Sequence, residues 1–194
     1  LIMYIREVVE AKNTTAVFAF GRFNPPTAGH KKLVDTIKAQ NGDHYLFLGP
    51  TKTNRKQDPL THEQKVTYAT AMFPGVKIGD ASIRTWVDAM KYLQSRGYKS
   101  ILYVAGSDRV EQFNKLLNTY NGKDYQFDSI KVISAGERDP DADGVSGVSA
   151  SKMRELAARG DRDNFIRMTP LDPKLAGTMY DDVRKGLGVT MEPA

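Results

Sequence analysis

The sequence predicts an α/β fold in which a parallel β-sheet is covered by helices on both faces. Short apolar runs typical of buried strands alternate with segments of helical periodicity, and this alternation favours a parallel sheet. The composition, with 40% hydrophobic and 26% charged residues, is that of a globular protein. A length of 194 residues fits one domain of ordinary size, or one domain with an appendage.

Each predicted strand is a short apolar run bounded by glycine or by a polar loop. Gly21 ends the first run, and Gly106 follows the fourth. In chain order the five runs are residues 16–20, 45–48, 76–78, 101–105 and 130–133. In such sheets ligands bind at the carboxyl ends of the strands, so we expect a site among the loops that leave those ends.

The predicted helices follow from apolar spacing and from capping residues. The first covers residues 29–40 and ends at an Asn-Gly pair. Thr61 with Gln64, and Thr85 with Asp88, have the spacing of capping boxes that begin the second and third helices. Further helices are expected over residues 108–120 and 150–159, and the chain beyond Pro170 and Pro173 is also expected to be helical.

Three segments are expected along the chain. Residues 1–15 are polar and form a tail, residues 16–160 form the main domain, and residues 161–194 form a helical C-terminal extension. Residues 134–147 are rich in glycine and aspartate without a periodic pattern, which predicts a long loop inside the main domain.

The composition excludes several classes of function. The chain has no cysteine, which excludes disulfide scaffolds, thiolate zinc sites and cysteine nucleophiles. Its three histidines are not at metal-ligand spacing, so no protein metal site is expected. No apolar run approaches the ~18 residues of a membrane helix, and the charged first ten residues do not resemble a signal peptide. We therefore expect a cytoplasmic protein with no membrane partner.

Positive charge is concentrated in one part of the chain. The formal net charge is +5, and residues 22–65 contain eight basic and four acidic residues. Such a segment attracts anions, whether the phosphates of a small molecule or those of a polymer. A solvated basic face without a ligand is the alternative.

The first candidate motif is Gly-Arg-Phe-Asn-Pro-Pro-Thr-Ala-Gly-His, residues 21–30, between the first strand and the first helix. Gly21 and Gly29 permit close approach of the backbone. His30 is expected in the first turn of the helix, where free N–H groups and the helix dipole favour an anion. The alternative is a histidine that only caps or packs at the helix start.

The second candidate motif begins the predicted helix at residue 150. Ser149 and Ser151 offer hydroxyl donors beside free backbone N–H groups, and Arg154 adds a forked cation. An N-capping serine before an ordinary helix is the alternative. Two such motifs about 120 residues apart are unusual by chance.

The two motifs resemble those of the nucleotidylyltransferase superfamily, the cytidylyltransferase-like proteins of HxGH type. The first is similar to the family pattern G-x-F-x-P-x-[HT]-x-G-H, with Thr27 where most members carry a histidine. The second is similar to the family's I-S-S-T-x-I-R element. The resemblance covers residues 16–154 and implies a Rossmann-like domain. The chain also resembles nucleotidyltransferase-like proteins of tailed phages, which would place it in the host cytoplasm.

The resemblance implies transfer of a nucleoside monophosphate, AMP from ATP in preference to CMP from CTP, onto a phosphomonoester with release of pyrophosphate. Gly106-Ser107-Asp108 resembles a G-x-D element of nicotinamide mononucleotide adenylyltransferases, whose aspartate reaches the ribose of ATP. Asp108 as a helix cap is the alternative. Nicotinamide mononucleotide is the preferred acceptor, whereas Thr27 favours phosphopantetheine. Mg²⁺ is expected as cofactor, bound mainly through the triphosphate.

The resemblance also implies roles for individual residues. His30 would contact the α- or β-phosphate, and Thr27 would hold the attacking phosphate. The residues expected to bind the nucleotide are Gly21, Arg22, Phe23, Gly29, Asp108, Ser149, Ser151 and Arg154. Arg55, Lys56 and Trp86 are candidates for contacts with the acceptor or its phosphate. A solvated loop is the alternative for the two basic residues, and a packing role is the favoured alternative for Trp86. A protein of another class, a particle-associated nucleotide- or nucleic-acid-binding protein without catalysis, is the alternative.

Overall fold

The computed structural model describes residues 13–51, 54–137 and 148–189. The tail expected at residues 1–15 and the loop expected at 134–147 therefore lie mostly outside the described residues. Within them, the strands are β1 (Thr15–Gly21), β2 (Asp43–Leu48), β3 (Lys77–Ile78), β4 (Ser100–Ala105) and β5 (Ser129–Ser134). The α-helices are α1 (Lys31–Lys38), α2 (His62–Met72), α3 (Trp86–Ser95), α4 (Val110–Thr119), α5 (Ala150–Ala158), α6 (Arg162–Arg167) and α7 (Pro173–Leu187).

The five strands form one parallel sheet in the order β3-β2-β1-β4-β5. The strand order reverses between β1 and β4, as in Rossmann-like folds, and the predicted fold class is confirmed. The central strands β1 and β4 are apolar runs without a charged residue, because both faces of a parallel sheet are covered.

Alternate residues along the central strands enter two separate cores. Phe18 of β1 and Phe47 of β2 pack against α3 and α4 on one face. Val17 and Leu46, their neighbours in sequence, pack against α1 and α2 on the other face. The period of two along a strand produces this division, and it places helices on both sides of the sheet.

The ladder between β1 and β4 ends before the carboxyl ends of the two strands, and the gap between those ends is called the β1–β4 crevice below. The two strands pair only as far as Phe18 and Tyr103, whereas β1 stays paired with β2 to its last residue, Gly21. The carbonyl of Phe20, which is free of the β4 ladder, accepts a hydrogen bond from the Tyr103 hydroxyl at 3.4 Å. Burial raises the pKa of Tyr103 to about 12, so this hydroxyl stays a donor at neutral pH. The crevice lies where ligands bind in open α/β sheets.

Helices α5, α6 and α7 form a third apolar cluster with part of the main domain. The cluster includes Leu156 from α5, Phe165 from α6 and Met179 from α7. It also includes Leu60 and Tyr68 from the segment around α2. The Tyr68 hydroxyl donates to the carboxylate of Asp182 in α7. The C-terminal helices therefore pack directly on the segment that follows β2.

The sequence-based element boundaries differ from the structure at the helix starts. The first helix was expected from residue 29, but Ala28–His30 form a 3₁₀ turn before α1. A second 3₁₀ turn, Ser107–Arg109, delays the start of α4 in the same way. Both capping boxes are confirmed, with Thr61 accepting from Gln64 N–H at 3.2 Å and Thr85 accepting from Asp88 N–H at 3.1 Å.

Candidate functional site

His30 is held in one orientation by the turn that precedes α1. The backbone N–H of Thr27 donates to His30 Nδ1 at 3.0 Å. An imidazole nitrogen that accepts from an N–H carries no proton, so the proton of the neutral ring lies on Nε2, which becomes the donor. The Phe23 ring packs 4.5 Å from the His30 ring, measured between centroids. His30 therefore has the tautomer needed to donate a hydrogen bond through Nε2.

Thr27 lies behind His30. Its side chain is 1% exposed, and its hydroxyl is 3.3 Å from His30 Nδ1. In this position Thr27 orients the imidazole, and its hydroxyl faces the ring. The expected contact with an attacking phosphate stays a prediction that would require this buried hydroxyl to become accessible.

Gly29 lies directly against the segment that begins α5. A Cβ atom on Gly29 would be 2.5 Å from the carbonyl oxygen of Val148. Because that oxygen belongs to the backbone, it cannot move independently of α5. Glycine at this position therefore allows the start of α5 to contact the turn that holds His30.

Arg154 makes a second link between α5 and the loop after β1. Its Nη1 donates to the carbonyl of Asn24 at 2.9 Å, and its Nη2 donates to the hydroxyl of Ser151 at 3.3 Å. Ser149 is the N-cap of α5 and accepts from Lys152 N–H at 3.1 Å. Both serines are exposed. The two sequence motifs, 120 residues apart, thus meet in one place.

Asn24 connects these segments to the loop that follows β2. Its side chain is fully buried, donates from Nδ2 to the Leu60 carbonyl at 3.0 Å and accepts from Leu60 N–H at 2.9 Å. This pair of hydrogen bonds satisfies the backbone of Leu60 as a neighbouring strand would. The loops after β1 and β2 and the start of α5 therefore form one unit at the carboxyl end of the sheet.

Charged side chains gather where these three segments meet. Arg22 Nε is 3.5 Å from Asp58 Oδ1, and Arg22 Nη1 donates to Gln57 at 3.3 Å. The Arg22 side chain is 45% exposed, whereas that of Asp58 is 2% exposed. Burial, followed by the repulsion of Arg22, lowers the pKa of Arg154, and Asp58 opposes this shift. Arg154 stays charged, and the buried carboxylate of Asp58 attracts it as well as Arg22.

A third cation, Lys65 of α2, lies beneath the two loops. Its side chain is completely buried, and Nζ donates to the carbonyls of Gly49 at 2.5 Å and Arg22 at 3.1 Å. Burial lowers the pKa of Lys65 to about 8, with Asp58 opposing the shift and Arg22 adding to it. Lys65, Asp58 and Asn24 are not predicted site residues, because polar residues of these types are normally exposed.

The structure does not bring every predicted site residue into this unit. Arg55 and Lys56 are exposed in the loop after β2. Asp108 is exposed at the carboxyl end of β4, and neither the 3₁₀ turn around it nor α4 has a side-chain cap. Asp108 therefore lies at the β1–β4 crevice and does not cap the helix.

Trp86 lies in an aromatic cluster away from the loops after β1 and β2. Its ring is 5.8 Å from Tyr120, at the end of α4, and 6.4 Å from Tyr125, in the segment that leads into β5. These neighbours lie toward the amino ends of the strands. The structure therefore places Trp86 in packing contacts and does not bring it to the other predicted site residues.

The described residues contain no group of three or more His, Asp or Glu side chains that could hold a metal ion. In the same part of the chain, none of the helices has both the length and the apolar character needed to cross a membrane. A scan against models of known protein families and a search of curated proteins give no match to the chain. The resemblance to nucleotidylyltransferases thus depends on the two motifs and on their meeting in the fold.

Proposed function

We propose that the chain is a nucleotidylyltransferase that transfers AMP from ATP to a phosphomonoester and releases pyrophosphate. The single observation that carries this proposal is the meeting of the two motifs. The start of α5 lies against Gly29, and Arg154 reaches the carbonyl of Asn24 at 2.9 Å. A triphosphate requires donors and cations distributed along its length, and this arrangement offers them together beside the carboxyl end of β1.

The proposed reaction is an in-line displacement at the α-phosphorus. A phosphate oxygen of the acceptor forms the new bond, and the bond between the α-phosphorus and the oxygen bridging to the β-phosphate breaks. The leaving pyrophosphate takes the electron pair of that bond. Since the attacking oxygen is already an anion, no general base is needed, and catalysis comes from positioning and charge stabilisation.

The protein groups would act at different parts of the triphosphate. His30 Nε2 would donate to an oxygen of the α- or β-phosphate, in the orientation that Thr27 imposes. Arg154, with the hydroxyls of Ser149 and Ser151, would hold the β- and γ-phosphates. Arg22 is half-exposed beside this site and would add positive charge. These donors are fixed before the substrate binds, which is what makes them effective in the transition state.

Mg²⁺ is proposed only as the counter-ion that ATP brings with it. The described residues contain no group of three or more carboxylate and imidazole side chains that could hold a metal ion, so no protein ligand among them is assigned to Mg²⁺. When bound with the triphosphate, Mg²⁺ neutralises negative charge on its oxygens.

Nicotinamide mononucleotide is the first acceptor to test, because Asp108 lies exposed beside the crevice, where the resemblance would place a contact with the ribose of ATP. Phosphopantetheine is the second, because Thr27 stands where most family members have a histidine. The test is to incubate the protein with ATP, Mg²⁺ and a panel of phosphomonoesters, and to measure pyrophosphate. Acceptor-dependent pyrophosphate release supports the proposal, and its absence with every member of the panel counts against it.

Binding to a nucleic acid is the second candidate that the basic segment raises. Tyr120 is the one large hydrophobic residue exposed in the described parts of the chain, so a row of stacking aromatics is not present there. We therefore expect weak, non-specific binding that millimolar MgATP displaces. Fluorescence anisotropy over a salt titration, with and without MgATP, checks this. A polymer site contacting 6–10 phosphates would lose roughly 10³–10⁵ in affinity between about 50 and 200 mM salt, and tight binding untouched by MgATP would favour the nucleic-acid function.

A further inference from the structure

Lys65 joins the carboxyl ends of two neighbouring strands from below. One of its carbonyl partners, Arg22, is the first residue after β1, and the other, Gly49, is the first residue after β2. The Gly49 N–H also donates to the carbonyl of Gly21 at 2.7 Å, so the two strand ends are already tied by the backbone. The two strand ends therefore do not need the ammonium to hold them together, and its positive charge calls for another explanation.

A fully buried ammonium is an expensive way to stabilise a fold. Its removal from water opposes the charged state, and apolar residues of similar volume often replace buried charges without loss of stability. Among the described residues, Asp58 is the one acidic residue that raises the pKa of Lys65, and the nearby cation Arg22 opposes it. Positive charge is thus kept in excess beneath the loops, at the place where an anion would have to bind.

We propose that Lys65 is a positioning residue of the anion site, which fixes the strand-end carbonyls of Arg22 and Gly49 and supplies a buried positive charge beneath bound phosphate. This inference rests on the proposed function, since it takes a nucleoside triphosphate as the anion. The two carbonyl oxygens bind Nζ inside the protein, so they are directed away from an incoming phosphate. Without the ammonium, these oxygens would lose the partner that holds them in this direction.

The charge of Lys65 should couple anion binding to pH. Its pKa of about 8 means that the proton is lost just above neutral pH. The charged groups that face it are Asp58 and Arg22, from the loops, and His62, one turn earlier on α2. Burial, followed by the repulsion of Lys65, lowers the pKa of His62 below its ordinary value of 6.5, so His62 is neutral throughout this pH range. Because binding linkage is reciprocal, bound MgATP should strengthen proton binding by Lys65, and the protonated lysine should strengthen MgATP binding.

The experiment measures MgATP affinity by calorimetry without acceptor, at about pH 7 and about pH 9.5. The terminal phosphate of a nucleotide has a pKa near ~6, so the ligand is nearly fully ionised at both values. Wild type is expected to lose roughly tenfold in affinity at the higher pH, because one positive charge beneath the phosphates is lost. This measurement needs no variant.

Three variants separate charge from structure. Lys65→Met keeps the apolar stem, and we expect it to bind roughly tenfold more weakly at the lower pH and to show no pH dependence. Lys65→Arg cannot lose its proton and should keep its affinity at the higher pH. Leu117→Ala, a buried change in α4 on the other side of the sheet, is the control for lost stability, and should bind as wild type does at both values.

Each outcome decides the proposal. A pH-dependent wild type beside a pH-independent Lys65→Met supports it. Wild-type affinity that is flat with pH overturns the role of Lys65 alone and leaves the proposed function in place. A Lys65→Met variant that keeps both the affinity and the pH dependence of wild type does the same. Failure of wild type to bind MgATP at either pH overturns the proposed function, and the role of Lys65 with it.

Discussion

Replacement of Gly29 by alanine should separate the two halves of the candidate site. The added Cβ would be 2.5 Å from the Val148 carbonyl oxygen, whereas ordinary contacts of a Cβ begin at 3.4 Å. The turn before His30 and the start of α5 must therefore move apart by about 0.9 Å. No side-chain rotation can relieve this contact, because the Cβ and the carbonyl oxygen are both fixed to the backbone.

A displacement of this size is large for a site that works by positioning. A misplacement of about 1 Å can reduce a rate by roughly 10²-fold, and overpacking costs about 1–3 kcal/mol in the free energy of unfolding. We expect Gly29→Ala to lose on the order of 10²-fold in kcat/KM while it remains folded at 25 °C. Pyrophosphate release measures the activity, and circular dichroism with thermal melting monitors the fold.

Gly177→Ala provides a matched control. A Cβ on Gly177, inside α7, would also meet an atom at 2.5 Å, but that atom is Nη2, at the flexible end of the side chain of Arg162, which is an exposed residue. The guanidinium can rotate away, and alanine favours a helix over glycine by about 1 kcal/mol. This variant should have wild-type activity. If Gly29→Ala is as active as Gly177→Ala, the contact between the two motifs does not matter for function.

Three further changes test the account. His30→Ala should lower kcat by roughly 10²–10³, as loss of one donor to developing charge does, with an unchanged circular dichroism spectrum. Arg154→Ala should weaken ATP binding by about 1.5–3 kcal/mol in calorimetry, whereas Arg159→Ala, which removes ion pairs with Glu155 and Asp161, should not. Denaturant unfolding measures the difference in the free energy of unfolding between wild type and Lys65→Met. This difference should shift in favour of wild type by on the order of 1–2 kcal/mol from about pH 8 to about pH 9.5. The sign follows because the folded pKa of Lys65, about 8, is below its ordinary 10.5, so the unfolded state binds more protons in this range.

Each of these expectations has a result that would contradict it. Activity of His30→Ala within about tenfold of wild type would remove His30 from the reaction. Equal ATP affinity in Arg154→Ala and Arg159→Ala would make the Arg154 contact with Asn24 purely structural. A difference in stability between wild type and Lys65→Met that does not change with pH would mean that Lys65 is not a desolvated ammonium.

The sheet and most helices could be predicted because their signals are local. The strand at residues 16–20 is one unbroken apolar run, and the structure places β1 at Thr15–Gly21. Both capping boxes fix their helix starts by side chains three residues apart. The helix start at residue 29 was wrong because the 3₁₀ turn at Ala28–His30 has the same near-helical backbone and differs only in which N–H each carbonyl receives.

The candidate site could be predicted only in part. The two motifs predict His30 and Arg154 as site residues. The motifs come together through the contact of Gly29 with Val148, which are far apart in sequence, so local patterns could not predict it. Lys65 and Asp58 could not be found, because their burial results from the packing of α2 and its preceding loop under the strand ends. Trp86 was selected as a ring that could stack on the acceptor, and the packing of α3 against Tyr120 and Tyr125 instead engages that ring.

The attack on the α-phosphorus is tested most directly by following two labels of ATP. In parallel reactions with Mg²⁺ and the acceptor that supports pyrophosphate release, the label is placed on the α-phosphate or on the γ-phosphate. We expect the α-label in the acceptor product and the γ-label in pyrophosphate, in equal amounts. Recovery of the γ-label on the acceptor or as inorganic phosphate would show attack at the other end of the triphosphate and contradict the proposed reaction.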